Sequence, residues 1–185
     1  MPDALHLTMK QLHAGLNAIR ESPRQRGIVE MIVRRPAIET REVLDECQLD
    51  TVQGLVGDHW HTRGHSSMTD ELAQRDMQLT LMNSRAVHLM AQTKERWCLA
   101  GDQLFVDMDL STTHLPPGTQ IALGSAVIEV TDQPHTGCRK FVARFGLDAM
   151  KFVNSEVGRE LNLRGVYAKI IRSGVVRVGD LAEKC

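Results

Sequence analysis

Residues 134–141 carry the strongest chemical signal in this sequence, because they place a cysteine among basic residues. Cys138 precedes a predicted helix, where unpaired backbone N–H groups and the helix dipole favour a thiolate. Arg139 and Lys140 add positive charge, and His135 lies three residues before the cysteine. These features predict a lowered pKa for the thiol, and therefore a nucleophile or a metal ligand at Cys138. The alternative is that Cys138 is a small, buried apolar residue.

Positive charge is concentrated around and after this cysteine. Residues 138–172 contain eight basic and three acidic residues, whereas the whole chain has a net charge of -1. Guanidinium groups match the oxygens of phosphate, sulfite or carboxylate, so the segment favours a small anionic ligand. We expect Arg164 to reach an anion beside Cys138, and Asn154 to close the turn after a helix. The alternative is a solvated face in which Arg164 only forms a structural ion pair.

A second group of polar residues surrounds the only histidine-rich stretch. Asp58 is followed by His59 and His61, which point to the same side if the segment is extended, and His65 can loop back toward them. Such a set is able to bind zinc or iron, which would favour hydrolysis. The alternative is that these imidazoles form hydrogen bonds to a substrate or gate its entry.

The remaining cysteines and the composition exclude several classes of protein. Cys47 and Cys98 lie in apolar alternation, Cys185 ends the chain, and the absence of any C-x-x-C pair argues against a zinc ribbon or a dithiol redox site. The nearly neutral charge argues against nucleic-acid or membrane binding. The sequence has no apolar run of about 18 residues and no secretory pattern at its start, so we expect a cytoplasmic protein.

The first twenty residues predict a separate helix. Apolar residues at positions 5, 9, 12, 16 and 19 form one stripe, and residues 21–27 then break the pattern with proline, glycine and charge. We expect residues 1–26 to form a helix and linker, and residues 27–185 to form the main domain. The helix either docks on that domain or pairs with a second copy to give a homodimer.

Short β-branched segments separated by turn residues dominate the rest of the chain. They predict a mainly β fold, a barrel-like arrangement of antiparallel or mixed strands with a few short helices, rather than alternating β and α elements. Ser173 and Gly174 indicate a hairpin, Asn83 a helix N-cap, and Gly146 a helix C-cap. The predicted strands are residues 28–35, 75–82, 104–106, 120–123, 126–131, 166–172 and 175–178, with 43–49 ambiguous between strand and helix. The predicted short helices start after Asn83 and span residues 139–145 and 147–153.

Taken together, these segments resemble the MOSC domain, the C-terminal module of molybdenum cofactor sulfurases that also occurs as free-standing proteins. The similarity covers residues 27–180 and consists of five blocks in the order of the family. The blocks are Gly54-Leu55-Val56-Gly57-Asp58 with His59 and His61; Arg75-Asp76-Met77-Gln78-Leu79; the Leu115 to Val130 hairpin with Pro117, Gly118 and Gly124; Gly137-Cys138 with Phe141 and Arg144-Phe145-Gly146; and Arg164-Gly165-Val166-Tyr167-Ala168 with Gly174 to Asp180.

The resemblance implies a β-barrel with one reactive cysteine, Cys138, which carries persulfide sulfur or ligates the molybdenum of a pterin cofactor. It implies either reduction of N-oxygenated small molecules or transfer of sulfur, with a cysteine desulfurase or a redox protein as partner; the family is also associated with pyridoxal phosphate. A module that binds a pterin or an anion without catalysis is the alternative. The residues expected to contact the cofactor are Asp58, His59, His61, Arg75, His135, Arg139, Lys140, Asn154 and Arg164.

The sequence departs from the family pattern in two places. Gly101-Asp102-Gln103-Leu104 replaces a common Gly-Glu-Asn-Leu, which shortens the acid and lengthens the amide by one methylene each. Asp76 follows Arg75 where the family usually has glutamine. Both changes alter groups expected near the cofactor, so they predict a different substrate or loss of the cofactor.

Overall fold

Short strands account for most of the regular structure in the computed structural model, which describes residues 6–60 and 74–185. Their side chains alternate between buried and exposed positions, as in β8, where Ala126, Ile128 and Val130 are buried. The strands are β1 (Arg26–Arg34), β2 (Glu42–Leu44), β3 (Glu46–Asp50), β4 (Gly54–Leu55), β5 (Leu79–Asn83), β6 (Leu104–Asp107), β7 (Gln120–Leu123), β8 (Ala126–Val130), β9 (Val166–Arg172), β10 (Gly174–Arg177) and β11 (Leu181–Lys184).

Seven of these strands form a closed barrel in the order β11-β7-β8-β9-β5-β6-β1. The barrel closes because β1 pairs with β11, with Gly27 opposite Ala182. Strands β5 and β6 are parallel and the other barrel pairs are antiparallel, so the sheet is mixed. Leu79, Leu81 and Ile128 are fully buried in the barrel core. The predicted mainly β, barrel-like fold is therefore confirmed.

The predicted hairpin at Ser173 and Gly174 is wrong. Strand β9 pairs with β8 and β5, whereas β10 pairs with β3 in a separate three-stranded sheet of order β10-β3-β4. A Cβ atom on Gly174 would lie 2.5 Å from the backbone nitrogen of Ala126. The glycine is needed for this close approach between two chain segments, and not for a turn that reverses the strand.

The helices cover one outer face of the barrel. Residues Met31, Val33 and Phe105 point outward from β1 and β6 and form a second core with these helices. The helices are α1 (Met9–Ala14), α2 (Leu16–Arg20), α3 (Ser84–Ala91), a 3₁₀ helix (Lys94–Ala100), α4 (Arg139–Phe145), α5 (Leu147–Asn154) and α6 (Glu156–Glu160). None of the helices in the described residues is long and apolar enough to cross a bilayer.

The predicted N-terminal helix is two short helices that meet at Gly15. A Cβ atom on Gly15 would lie 2.6 Å from the side chain of Leu89, so α3 packs directly against this junction. The apolar stripe of Leu12, Leu16 and Ile19 is buried in the second core. The Asp148 carboxylate also accepts a hydrogen bond of 2.9 Å from the backbone N–H of Met9. The stripe thus packs within the chain, and a homodimer formed through this segment stays a prediction that would require other residues.

Two predicted helix ends are confirmed and two strand predictions need adjustment. The Asn83 side chain accepts a 3.0 Å hydrogen bond from the N–H of Ala86, and Gly146 ends α4 with a φ of 92°. The predicted strand 75–82 begins only at Leu79, because Gln74 and Arg75 are helical and residues 76–78 form a turn in which Gln78 is buried. The ambiguous residues 43–49 contribute to two strands, β2 and β3.

Candidate functional site

A cavity of about 260 Å³ lies where β1 and β8 end and β6 begins. Its wall is formed by the loop after β1, the end of the 3₁₀ helix, β5, the start of α4 and β9. The wall combines one thiol, one imidazole and several guanidinium or ammonium groups. The thiol is Cys138, the imidazole is His135, and the cationic groups are Arg35, Arg41, Lys140, Arg144 and Arg164; Thr80 and Tyr167 also line the cavity.

Cys138 lies on this wall with an exposed side chain. It is the N-cap residue of α4, and its carbonyl accepts a 3.1 Å hydrogen bond from the N–H of Val142. The preceding Gly137 donates a 2.9 Å backbone hydrogen bond to the Asn154 side chain of α5. Asn154 therefore holds the loop that presents the thiol, rather than lining the cavity itself.

The other cysteines lie in different environments. Cys47 is buried in the barrel core, and this burial raises the pKa of its thiol to about 12. Cys98 lies in the 3₁₀ helix, where burial also raises its pKa. Cys185 is exposed at the chain end. Of the four thiols, Cys138 alone belongs to the cavity wall.

Arg35, the first residue after β1, lines the cavity, and its guanidinium is fully paired with groups behind the wall. Its Nε donates to Asp58 Oδ2 at 2.9 Å, and its Nη2 donates to Oδ1 at 3.1 Å. Its Nη1 donates to the Gly101 carbonyl at 2.8 Å. Asp58 also accepts hydrogen bonds from the backbone N–H groups of Arg35 and Trp60, both at 2.9 Å. The ion pair joins the loop after β1 to the turn after β4, and it orients Arg35.

A second buried ion pair joins Arg164 to Asp102. Arg164 Nη1 donates to Asp102 Oδ2 at 2.6 Å, and Nη2 donates to the Ala100 carbonyl at 3.0 Å. The guanidinium also stacks 5.1 Å from the centre of the Phe141 ring. Within the described residues, Arg164 Nε and Asp102 Oδ1 have no hydrogen-bond partner. This pair is therefore only partly satisfied.

Arg41 and Arg144 approach each other over Gly101. A Cβ atom on Gly101 would lie 3.9 Å from Arg41 Nη2 and 4.0 Å from Arg144 Nη1. Burial lowers the pKa of Arg41 below its ordinary value, and the charges of Arg144 and Arg35 lower it further. Like charges are crowded here, so an anion bound between them would relieve their repulsion.

The carboxylate of Glu39 partly neutralises this cationic wall from outside. Glu39 contacts Lys140 Nζ through one oxygen and Arg144 Nη2 through the other, the latter at 3.1 Å. The hydrogen bond from Lys140 lowers the pKa of Glu39, and the charge of Lys140 lowers it further. Glu39 has a φ of 64°, a backbone conformation that is rare for a residue with a side chain. An exposed, strained loop therefore places an acid on two cavity cations.

The structure brings together four of the predicted site residues, Cys138, His135, Lys140 and Arg164. The other predicted residues in the described part of the chain do not line the cavity. Asp58 supports Arg35, Asn154 supports Gly137, and the Nδ1 atom of His59 contacts the Arg35 carbonyl. Arg75 and Arg139 are exposed elsewhere.

The predicted metal set of His59, His61 and His65 is only partly described. His61 and His65 lie outside the described residues, and His59 lies close to Asp58, with 4.0 Å between Nδ1 and Oδ1. Among residues 6–60 and 74–185, His, Cys, Asp and Glu side chains form no group of three or more that could hold a metal ion. The hydrolytic alternative therefore rests on the sequence alone.

Sequence reasoning missed Arg35, Arg41 and Arg144 as cavity residues. Arg35 and Arg41 flank a loop that is about 100 residues from Cys138, and only barrel closure brings them together. Arg144 lies in the basic segment and in the block around Cys138, so its position two turns along α4 was an available signal. Arg35 immediately precedes Pro36 at the end of a strand, and this position is a weaker signal that Arg35 is a cavity residue.

Comparisons with known proteins agree with this fold. The sequence profile of the MOSC domain matches residues 74–183. The fold is similar to the YUAD protein from Bacillus subtilis, with a TM-score of 0.59 at 14% identity, over 88% of this chain and 97% of that chain. It is similar to YiiM from Escherichia coli, with a TM-score of 0.53 at 20% identity, over 85% of this chain and 69% of that chain.

YiiM from Geobacillus stearothermophilus has a TM-score of 0.56 at 13% identity, over 86% of this chain and 75% of that chain. At these identities the solved structures establish the shared fold alone. No curated protein matches the sequence. The domain profile spans more than half of the chain, including Cys138, and it agrees with the resemblance noted in the sequence. This protein therefore belongs to the MOSC domain family.

Proposed function

We propose that the cavity binds a phosphate-bearing molybdenum–pterin cofactor, with the sulfur of Cys138 as a ligand to the metal. The observation that carries this proposal is an exposed thiol on the wall of a cavity that five cationic side chains line. A soft thiolate suits molybdenum, and guanidinium groups suit the oxygens of a phosphate.

The residues of the cavity fit both parts of such a cofactor. Arg41 and Arg144 provide a phosphate site, because their guanidinium groups meet over Gly101 and Arg41 has no carboxylate within 4.0 Å among the described residues. Arg35 and Arg164 are held in place by buried carboxylates, so their positions are fixed before a ligand arrives. A volume of about 260 Å³ is slightly below the usual range of about 300–1,000 Å³ for small-molecule sites, and the exposed Cys138 on the wall shows that the cavity is open to solvent.

When bound, the molybdenum would supply the two-electron chemistry that reduces an N-oxygenated compound. The protein would fix the thiol through the Gly137–Asn154 hydrogen bond and hold the phosphate through Arg41 and Arg144. His135 and Tyr167, whose rings lie 4.5 Å apart, would form the side of the cavity that faces the substrate. Each of these tasks is positioning or charge stabilisation by groups that are already in place.

Metal and pterin analysis tests the proposal. The wild-type protein, Cys138→Ser and Cys185→Ser would be expressed in a host that makes the cofactor and purified without denaturant. We expect molybdenum and pterin near one per chain in the wild type and in Cys185→Ser, the matched exposed-thiol control, and loss of molybdenum in Cys138→Ser. Absence of both groups from the wild-type protein would contradict the proposal.

A sulfur carrier is the second candidate, and the exposure of Cys138 favours it. In this reaction the Cys138 thiolate attacks the outer sulfur of a persulfide on a cysteine desulfurase. A new S–S bond forms at Cys138, the S–S bond of the donor breaks, and the donor cysteine leaves as a thiolate. A mass increase of 32 on the Cys138 peptide, with none on the Cys185 peptide, would support this function. Equal labelling of both peptides would rule it out.

Without catalysis, the same cavity would act as a binding module for a pterin or another anion. Cofactor analysis separates this case from an enzyme only together with an activity assay on N-hydroxylated substrates. A redox partner and a cytoplasmic location remain predictions from the sequence.

A further inference from the structure

A buried carboxylate faces a buried imidazole at the cavity, and neither of the facing atoms is satisfied. Asp102 Oδ1 lies 3.7 Å from His135 Nδ1, and the exposed fractions of the two side chains are 0% and 9%. Within the described residues, neither atom has a hydrogen-bond partner. Buried polar atoms are normally paired, so this arrangement indicates a functional constraint.

We propose that Asp102 is a positioning residue that keeps the proton of neutral His135 on Nδ1, so that Nε2 accepts a hydrogen bond from an O–H or N–H of the bound ligand. This makes the cavity selective for protonated oxyanions, such as hydrogen phosphate, over oxyanions without a proton, such as sulfate. The proposal rests on the proposed function for the anionic ligand of the same cavity, and it requires that the phosphate monoester of a cofactor bind there in its singly protonated form.

Arg164 determines which oxygen of Asp102 faces the imidazole. Its Nη1 donates to Oδ2 at 2.6 Å, so Oδ1 remains as the acceptor for His135. A carboxylate has no proton to donate, and the Nδ1 atom opposite it must therefore carry one. Small movements of the two side chains would close the 3.7 Å gap, as is common when a ligand binds.

The surroundings keep the imidazole neutral and fix its plane. Burial lowers the pKa of His135 well below its ordinary value, and the charges of Arg164 and Arg35 lower it further. Burial raises the pKa of Asp102 above its ordinary value, although the charge and the hydrogen bond of Arg164 oppose this effect. The 2.6 Å contact with the Arg164 guanidinium is the observation that favours the carboxylate. The Tyr167 ring packs against the His135 ring with 4.5 Å between their centres. A neutral ring with Nδ1–H has one free acceptor, Nε2.

A ligand that meets both this acceptor and the cationic wall must be an anion that keeps a proton. Hydrogen phosphate can accept hydrogen bonds from Arg41 and Arg144 and donate its own O–H to Nε2. Sulfate can only accept, so its oxygen and the lone pair of Nε2 would repel each other. A site with an unpaired buried acceptor rejects such a ligand strongly.

Asp102→Asn provides a sharp test, because Arg164 controls how the new amide is oriented. The amide oxygen must take the Oδ2 position to accept from Arg164 Nη1, which places the NH₂ group opposite His135 Nδ1. The amide then donates to Nδ1, and the imidazole proton moves to Nε2. The variant has the shape of the wild type but presents a donor to the cavity instead of an acceptor. Asp102→Glu, the residue common in the family, keeps the carboxylate and serves as the conservative control.

Two measurements on the full chain at pH 7, without molybdenum, test the tautomer of His135 and the anion preference of the cavity. Long-range ¹H–¹⁵N NMR of histidine-labelled protein should show the Nδ1–H form of His135 in the wild type and Asp102→Glu, and the Nε2–H form in Asp102→Asn. Calorimetric titration should show inorganic phosphate binding about ten-fold tighter than sulfate in the wild type and Asp102→Glu, with this preference lost in Asp102→Asn. An Nε2–H form in the wild type, or an unchanged preference in Asp102→Asn, would overturn the proposal. Neither measurement depends on the cofactor, so the proposed function can fail while this inference holds.

Discussion

Two buried arginine–aspartate pairs support opposite parts of the cavity wall, and they differ in how completely they are satisfied. In both pairs the arginine side chain is 9% exposed and the aspartate side chain is 0% exposed. Both arginines also hold neighbouring carbonyls at the end of the 3₁₀ helix, Arg35 at Gly101 and Arg164 at Ala100. The pairs therefore occupy similar positions in the fold.

The Arg35–Asp58 pair uses its polar atoms fully. Asp58 accepts four hydrogen bonds, two from the guanidinium and two from backbone N–H groups. In the Arg164–Asp102 pair, a single contact of 2.6 Å joins the two side chains, and Asp102 Oδ1 instead faces His135. The first pair holds the loops around the cavity, whereas the second leaves Asp102 Oδ1 facing His135, which is the atom that our proposal uses.

The largest effect should come from making both aspartates neutral without changing their shape. In Asp58→Asn, either orientation of the amide places an NH₂ group against N–H donors, so we expect a loss of about 3–5 kcal/mol in the free energy of unfolding. In Asp102→Asn, the amide can satisfy both Arg164 and His135, so we expect a loss of about 1–2 kcal/mol. Urea unfolding of the two variants measures both values. Equal losses in the free energy of unfolding would show that the two ion pairs have the same structural role.

Removing the Arg41 guanidinium, which has no carboxylate within 4.0 Å among the described residues, should weaken anion binding. We expect Arg41→Gln to reduce the affinity for inorganic phosphate about ten-fold or more, because it removes a charge-assisted hydrogen bond in a half-buried site. Arg26→Gln is the control, since Arg26 pairs with Glu183 at the opposite end of β1. Calorimetry measures the dissociation constants. Similar values for the wild type and Arg41→Gln would place the anion elsewhere.

The buried imidazole should make stability depend on pH. The pKa of His135 is lowered in the folded protein, so only the unfolded chain takes up this proton as the pH falls below about 6.5. His135→Asn removes the proton-binding group. We therefore expect the stability of the wild type, relative to this variant, to fall by about 1 kcal/mol between pH 7 and pH 5.5. Urea unfolding at both pH values measures it, and a difference that does not change with pH would contradict the neutral, buried state of His135.

The smallest effect should come from the exposed acid at the cavity mouth. Glu39→Gln removes the carboxylate that contacts Lys140 and Arg144, so phosphate no longer competes with it. We expect phosphate to bind about two- to five-fold tighter. Glu42→Gln is the control, because Glu42 pairs with Arg34, which does not line the cavity. Weaker phosphate binding in Glu39→Gln would mean that the loop orders the site rather than competing for it.

The local features of the site were predictable from the sequence, and the features that depend on closure of the barrel were not. The position of Cys138 before a helix follows from neighbouring residues, as does the Asn83 cap. Arg35 and Arg41 line the same cavity as the thiol only because β1 pairs with both β6 and β11. Gly174 produced an error, since a glycine needed for close packing gives the same sequence signal as one needed for a turn.

Asp102 was predictable from the sequence only in part. Its departure from the family pattern marked it as unusual in the sequence, but its partners Arg164 and His135 come from other parts of the chain. Gln103 beside it accepts hydrogen bonds from the backbone and the side chain of Thr80, at 2.9 and 2.7 Å. The shorter acid at position 102 and the longer amide at position 103 therefore each make specific contacts, and these contacts are evident only from the three-dimensional structure.

X-ray absorption at the molybdenum edge tests the central claim most directly. The wild-type protein and Cys185→Ser, purified from a host that makes the cofactor, should show the same number of sulfur ligands to the metal. Cys138→Ser should lose molybdenum, or retain it with one sulfur ligand fewer. An unchanged sulfur count in Cys138→Ser, or a wild-type protein without molybdenum, would contradict the assignment of Cys138 as the metal ligand of this cationic cavity.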